Sequence, residues 1–456
     1  MSATATPSSP TKLSNHTPHT QTHSHTHILN TPNTLNTPNI LFPMRNLFLL
    51  LLTLLSTSAL FSQSAQFRGE KRDGVYNETG LLKSWPAAGP ECILTVEGIG
   101  KGFSSAVLSG ETIYVTGMKE AKDYLSAISI NGKIKWQVTY GKSWEESFPD
   151  TRSTPTVDGN RIYVISGTGR LVCIDAADGK ELWSAEVDKD FKSQWHDWGV
   201  AESPLVIDNL VVCTPAGKKA AVVAYDKISG KLAWKTKSFD GARSYASPVI
   251  FTWNNIRYII AATTKELIAV VPETGEVAWS FTHWRADLEP DRDMGQIYTN
   301  SALVKDNEIF LTRGYNYPCM MISVNPDGKS VTEKWIDRTL DSHHHGSVVA
   351  DSYLYGSNWL SNGKGNWVCL DWKTGAVKWE QTWNNKGPII QADGLLYMMD
   401  EKSGNVGLVK PDPSKFDLIS SFKIDKGTGP FWAHPSIFDG KLLIRHGDVL
   451  MAFKIK

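Results

Sequence analysis

One motif recurs six times along this chain: a short apolar run ending in an acidic or amide residue, a Gly-containing turn, and then a tryptophan. The second copy reads Cys173-Ile174-Asp175-Ala176-Ala177-Asp178-Gly179-Lys180-Glu181-Leu182-Trp183. The other copies place Gly132 before Trp136, Gly230 before Trp234, Gly275 before Trp279, Gly328 before Trp335 and Gly375 before Trp379. In five copies the Trp follows the Gly by four residues, and only the Trp335 copy stretches this to seven. Successive tryptophans stand 47, 51, 45, 56 and 44 residues apart. A period of that size marks a repeat architecture.

Each period contains four short apolar runs and no ten-residue stretch of helical spacing. In the second copy the runs are 153–157, 161–166, 170–174 and 181–187. Between them lie Asp158-Gly159-Asn160, Gly167-Thr168-Gly169 and Asp178-Gly179, residues that tolerate the positive φ of hairpin turns. The unit is a four-stranded antiparallel blade, and radial packing of such blades gives a propeller. Trp136, Trp183, Trp234, Trp279, Trp335 and Trp379 are read as wedges between blades. Each buries a large flat ring, and its indole N–H can bond the neighbouring blade.

Upstream of Trp136 the runs 104–109, 112–117 and 124–130 complete a first blade. A degenerate seventh blade spans 388–424, with Phe422 near the tryptophan position. Only three runs follow, at 435–438, 442–445 and 449–454, so the missing outer strand is expected from 92–97. The expected fold is all-β, an eight-bladed propeller closed by its N- and C-terminal strands. Such closure removes exposed strand edges. Seven blades is the alternative.

The repeated A-x-D-x-x-T-G-x-x-x-W pattern resembles the β-propeller repeat of the quinoprotein (PQQ) alcohol dehydrogenase-like superfamily, which includes the BamB-type outer-membrane assembly factors. Phe67-Arg68-Gly69, Arg72-Asp73-Gly74 and residues 80–86 resemble the lead-in of its bacterial secreted members. The resemblance covers about 67–456, and it implies the fold more directly than the activity. One function it implies is a scaffold that binds an envelope protein. The other is a quinoprotein dehydrogenase oxidising an alcohol or sugar, with PQQ stacked on a Trp, calcium bridging it to Glu, Asn and Asp side chains, and an Asp base. Glu202, Asn300 and Asp293, with Arg243 or Arg313 nearby, are the residues that would imitate that set. The large dehydrogenases also stack PQQ on a disulfide between neighbouring cysteines, and this chain has no such pair and no C-x-x-C-H haem motif. A binding role therefore leads.

Eight blades of about 45 residues need roughly 360 residues, so 65–456 is read as one domain. Formal charge is zero, with 47 basic and 47 acidic residues and no polybasic run, which argues against nucleic acid or anionic membrane as partner. Residues 44–64 have the pattern of a signal peptide: Met44-Arg45-Asn46, an almost unbroken apolar run over 47–55, and a small polar stretch with cleavage expected after Ser64. Export to the periplasm or beyond follows, with no membrane span once the signal is removed. The first Cys is Cys92, so a lipoprotein anchor is not supported. Residues 1–43, rich in Thr, Ser, Pro, Asn and His, are low-complexity and cannot form a core, which makes Met44 the expected start. Cys92, Cys173, Cys213, Cys319 and Cys369 are expected as buried free thiols.

The entrances to the inner strands align on a small residue before Pro or Ala. The residues just ahead form a ring of Ser104, Ser153, Glu202, Ala246, Asn300, His345, Lys386 and Ala433. Aromatic, imidazole and carboxylate groups crowd the loops feeding that rim, as a small-molecule pocket requires. The candidate ligand-binding residues are Trp198, Glu202, Arg243, Asp293, Asn300, Arg313, His344, His345, Lys386 and His434. The expected occupant is a glycan or small polar ligand, or an envelope protein. His343-His344-His345 is read as a loop with one satisfied imidazole rather than a metal site. The alternation Asp287, Glu289, Asp291, Asp293 is similar to a calcium loop, but Arg292 takes the place of the required Gly. No Gly-x-Ser-x-Gly elbow, phosphate loop or His-Glu-x-x-His motif supports a hydrolase.

Overall fold

The computed structural model describes residues 65–195, 197–288 and 297–456. They form eight four-stranded antiparallel sheets, seven of them built from consecutive strands. The eighth joins the two ends of the described chain: Cys92–Val96 pairs antiparallel with Val449–Lys454, from Cys92 opposite Phe453 to Val96 opposite Leu450. The eight-bladed arrangement and its closing strand are as the sequence implies. The loop between the second and third blades adds one short helix, Val187–Phe191.

The Gly and Trp of the repeat act across blade boundaries, while the Asp caps its own turn, as Asp175 does for Ala177 N and Asp371 for Lys373 N. One residue before each of the six tryptophans the outer strand slips register, a bulge that bends the strand and re-aims the ring. The ring then lies on the glycine of the next blade. A Cβ on Gly179, Gly230, Gly275 or Gly375 would fall 2.9, 2.6, 2.6 or 2.6 Å from the rings of Trp136, Trp183, Trp234 and Trp335. Four indoles also donate to the next blade: Trp183 to Lys227 O, Trp234 to Pro272 O, Trp335 to Trp372 O and Trp379 to Asp412 O, at 2.8–3.1 Å. The indole nitrogens of Trp136 and Trp279 are buried without such a bond. In the degenerate seventh blade Phe422 substitutes, lying against Gly89 and edge-on to Trp85 at 5.1 Å. The apolar core is accordingly a ring of clusters between blades, as where Tyr163 and Cys173 meet Val211 and Tyr225. All five cysteines are free, and four are buried as small apolar residues, but Cys92, on the outer closing strand, is exposed rather than buried as the sequence reading has it.

Residues 65–76 form an arm that occupies the channel. Ala65 bridges Val157 of the second blade, and Val75–Tyr76 adds a fifth, parallel strand to the seventh blade at Gln391 and Ala392. Two buried arginines hold the arm to blades far apart on the ring. Arg72 donates to Ser203 O, Pro204 O and Pro248 O at 2.9, 2.5 and 3.1 Å. Arg68 donates to Ile389 O, Ser347 O and His434 Nδ1 at 3.2, 2.6 and 2.8 Å. Gly346 and Gly74 leave room for the Arg68 guanidinium, since a Cβ there would fall 2.2 and 2.4 Å from its nitrogens.

Candidate functional site

A cavity of about 320 Å³ opens at the mouth where the chain enters the inner strands. Phe67 of the arm lines it, edge-on to His434 at 5.3 Å. Its walls are mostly rings: Phe103, Phe148, Trp198, Tyr245, Tyr315, Trp359 and Trp432. The charged and imidazole groups reaching it are Arg152, Lys386, Glu401, His343, His344 and His434.

The entrance segments explain which residues reach the cavity. In the segments just ahead of the inner strands one position lines the ligand space and the next is buried against the blade. At seven entrances the inward residue is the one before the ring position inferred from sequence: Phe103, Arg152, Ala201, Tyr245, Thr299, His344 and Trp432. The ring residues Ser104, Ser153, Glu202, Asn300 and His345 are instead buried behind it. Lys386 is the ring position that does line the cavity.

Of the ten candidates, Trp198, His344, Lys386 and His434 line one cavity together. Glu202 and Arg243 lie behind it in a buried ion triad: Arg243 meets Asp188 and Glu202, each at 2.7 Å. Glu202 also accepts from Thr214 N, although burial raises its carboxyl above the usual range. Asn300 fixes the triple-histidine turn, accepting from Gly346 N at 3.0 Å and donating to Ser342 O and His343 O. Arg313 donates to Thr264 O and Ile297 O, outside the lining. Asp293, with the rest of 289–296 and so most of the calcium-like alternation, lies outside the described residues.

Among the lining residues that sequence reasoning missed are Glu401, Phe103, Arg152, Phe148, Tyr315, Trp359 and the arm's Phe67. For Phe103 and Arg152 the signal was present, one position from the ring. Glu401 follows the second strand of the seventh blade, where no repeat register draws the eye. It is the centre of the cluster: Oε1 meets Lys386 Nζ at 2.5 Å, while Oε2 meets His345 Nε2 at 2.9 Å and Trp432 Nε1 at 2.8 Å. Burial raises its carboxyl, but His345 and Lys386 outweigh this and bring it to about 2. Burial pushes the His343 imidazole down to about 3, and those of His344 and His434 well below the usual value. The His434 tautomer follows from its partners. Arg68 donates to Nδ1, so Nε2 carries the hydrogen and donates to His344 O at 2.9 Å.

These residues do not fit a calcium-bridged quinone. Calcium takes six to eight oxygen ligands. Among the described residues, Glu401 is the one carboxylate lining the cavity, and Lys386 already holds it.

A family model described as outer membrane protein assembly factor BamB matches residues 121–381, and the chain belongs to that family. It is 31% identical over 110 residues to the quinohemoprotein alcohol dehydrogenase ADH IIB of Pseudomonas putida, a match covering 22% of this chain and 15% of the relative. It is 25% identical over 172 residues to BamB of Bordetella pertussis, covering 37% of this chain and 40% of that protein. The matched stretches thus span less than half the length of either curated relative. Among solved structures, BamB from Moraxella catarrhalis superposes with a TM-score of 0.58 at 14% identity, covering 80% of this chain and all of that one. The quinohemoprotein alcohol dehydrogenase of Comamonas testosteroni gives 0.58 at 12% identity, covering 88% and 82%. At such identities the likeness is one of fold. No helix among the described residues is long and apolar enough to cross a membrane.

Proposed function

We propose that this chain is an exported binding protein whose cup holds a small polar ligand with apolar faces, a glycan of one or two sugar rings. The observation that carries this reading is the cup itself: a concave space walled by seven aromatic rings and Phe67 of the arm, with a few charged groups at fixed places. Rings stack on the C–H faces of a sugar while Arg152 and Glu401 take its hydroxyls. A volume of about 320 Å³ is at the small end for ligand pockets, which favours one or two sugar rings over a folded partner. Export is supported by the signal-like pattern of 44–64.

The test is isothermal calorimetry with a panel of mono- and disaccharides on the parent, Trp198→Ala and Trp432→Ala. Saturable binding weakened about tenfold in each variant, about 1.4 kcal/mol, is expected. Equal affinity in parent and variants, or no binding to any sugar, sinks the reading. Membership in the BamB family favours a second reading, an envelope-protein partner at the same rim. It predicts recovery of an outer-membrane protein on immobilised parent, with loss of that recovery in Trp198→Ala.

A further inference from the structure

His344, His345 and Glu401 offer ligand atoms that all lie within 4.8 Å of one another at the wall of the cup. Each nitrogen's hydrogen can be placed from its neighbours. Ser357 Oγ lies 3.1 Å from Gly387 O, closer than its 3.4 Å approach to His345 Nδ1, so the hydroxyl donates to the carbonyl. His345 Nδ1 then faces an oxygen lone pair and carries a hydrogen, while His345 Nε2 donates to Glu401 Oε2 at 2.9 Å, a proton that an arriving metal ion displaces to solvent. His344 Nδ1 lies 2.9 Å from His343 Nδ1, where a single hydrogen is shared between two imidazoles. With that hydrogen on His344, its Nε2 presents a lone pair. That Nε2 is buried without a hydrogen-bond partner, 3.8 Å from Glu401 Oε2.

We propose that His344 Nε2, His345 Nε2 and Glu401 Oε2 form a binding site for a divalent transition-metal ion of the zinc type, with a fourth position open to the cup. Two imidazoles and a carboxylate suit zinc and its first-row neighbours rather than calcium. The carboxylate oxygen lies 2.9 and 3.8 Å from the two nitrogens, bracketing the ~3.3 Å between ligands of a tetrahedral zinc with ~2.0 Å bonds. The outer support is in place: His343 accepts from His344 Nδ1, Ser357 accepts from His345 Nδ1, and Asn300 fixes the turn that carries all three histidines. Lys386 is the opposing element. Its ammonium holds Glu401 Oε1, so it neutralises part of the carboxylate and repels an incoming cation. The site does not depend on the sugar reading, because the probe is metal alone.

The test uses the full chain titrated with Co²⁺, whose visible absorption reports low coordination, followed by displacement with Zn²⁺. Five histidines in 1–43 are the obvious competitors, so a second chain carries Ala at His16, His19, His23, His25 and His27. One equivalent of Co²⁺ with a tetrahedral-type spectrum is expected in both chains. His344→Ala, the variant with least effect on packing, should weaken binding about 100-fold, and His343→Ala about 10-fold. Lys386→Met should tighten it about tenfold, because it removes the cation facing the site. Loss of the signal with the tail histidines, an unchanged affinity in His344→Ala, or a spectrum no different from aqueous Co²⁺ would overturn the site.

Discussion

Glu401 is a carboxylate shared by an ammonium, an imidazole and an indole, and that sharing makes its charge a stability contribution with a defined pH window. Its folded value of about 2 lies below the ordinary 4.5, so the contribution is complete above about pH 4.5 and lost as pH falls through about 2. The shift corresponds to about 3 kcal/mol. Urea titrations of parent and Glu401→Gln should therefore differ by about 3–5 kcal/mol at neutral pH, since the variant leaves Lys386 buried beside a neutral amide. The gap should close between about pH 4.5 and about pH 2. A gap independent of pH would mean that packing, not charge, holds the cluster. The same residues show what was legible at this scale. The rim and its eight entrances could be aligned from Ser203-Pro204, Ser247-Pro248 and their equivalents, but not which face each residue presents. A one-residue uncertainty there becomes the opposite side of the chain, hence Phe103 and Arg152 in the cavity and Ser104 and Ser153 behind it.

At the scale of the blade, the repeated Gly and Trp are halves of one contact made between successive copies. This is why the spacing is so regular: the glycine has to meet the preceding blade's ring as well as form its own turn. Gly230 has φ +70° and a Cβ there would fall 2.6 Å from the Trp183 ring, while Gly159 has φ +59° and open space around it. Gly159→Ala should cost only the left-handed backbone strain, about 1 kcal/mol. Gly230→Ala should cost about 2–4 kcal/mol, because the ring must move as well. Equal losses for the two in chemical denaturation would show that the wedge is not under contact pressure. A second contrast isolates the indole N–H. Trp183→Phe forfeits the bond to Lys227 O, worth about 1 kcal/mol. Trp279→Phe forfeits none, since that nitrogen has no partner, so its loss should be smaller by about that amount. The motif was legible because both partners lie within one repeat period of each other.

For the whole molecule, ring closure was legible and the arm was not. A propeller with three strands left at one end advertises the missing fourth, and 92–97 supplied it. Residues 65–76 carry no strand pattern, and the guanidinium groups of Arg68 and Arg72 reach mainly main-chain carbonyls more than a hundred residues away, a type of contact that leaves no side-chain signature. Yet the arm ties opposite sides of the ring. Arg72 holds Ser203 O, Pro204 O and Pro248 O, of the third and fourth blades, while Arg68 holds Ser347 O and Ile389 O of the sixth and seventh. Arg72→Met alone should cost about 2 kcal/mol or more, because it strands the carbonyls of Ser203 and Pro248, while Pro204 O keeps its bond from Thr156 Oγ1. Lys at that position should not restore stability, since its single ammonium cannot reproduce the fork. If the arm behaves as one unit, freeing either end loosens the other. The double variant Arg68→Met, Arg72→Met should then cost less than the sum of the singles, by about 1–2 kcal/mol. The same double variant should release Phe67 from the lining of the cup, raising quenching of Trp198 and Trp432 fluorescence by acrylamide. Additive losses within about 0.5 kcal/mol, with unchanged quenching, would instead make the arm two independent anchors. The propeller would then owe its closure to the strand pairing of its two ends alone.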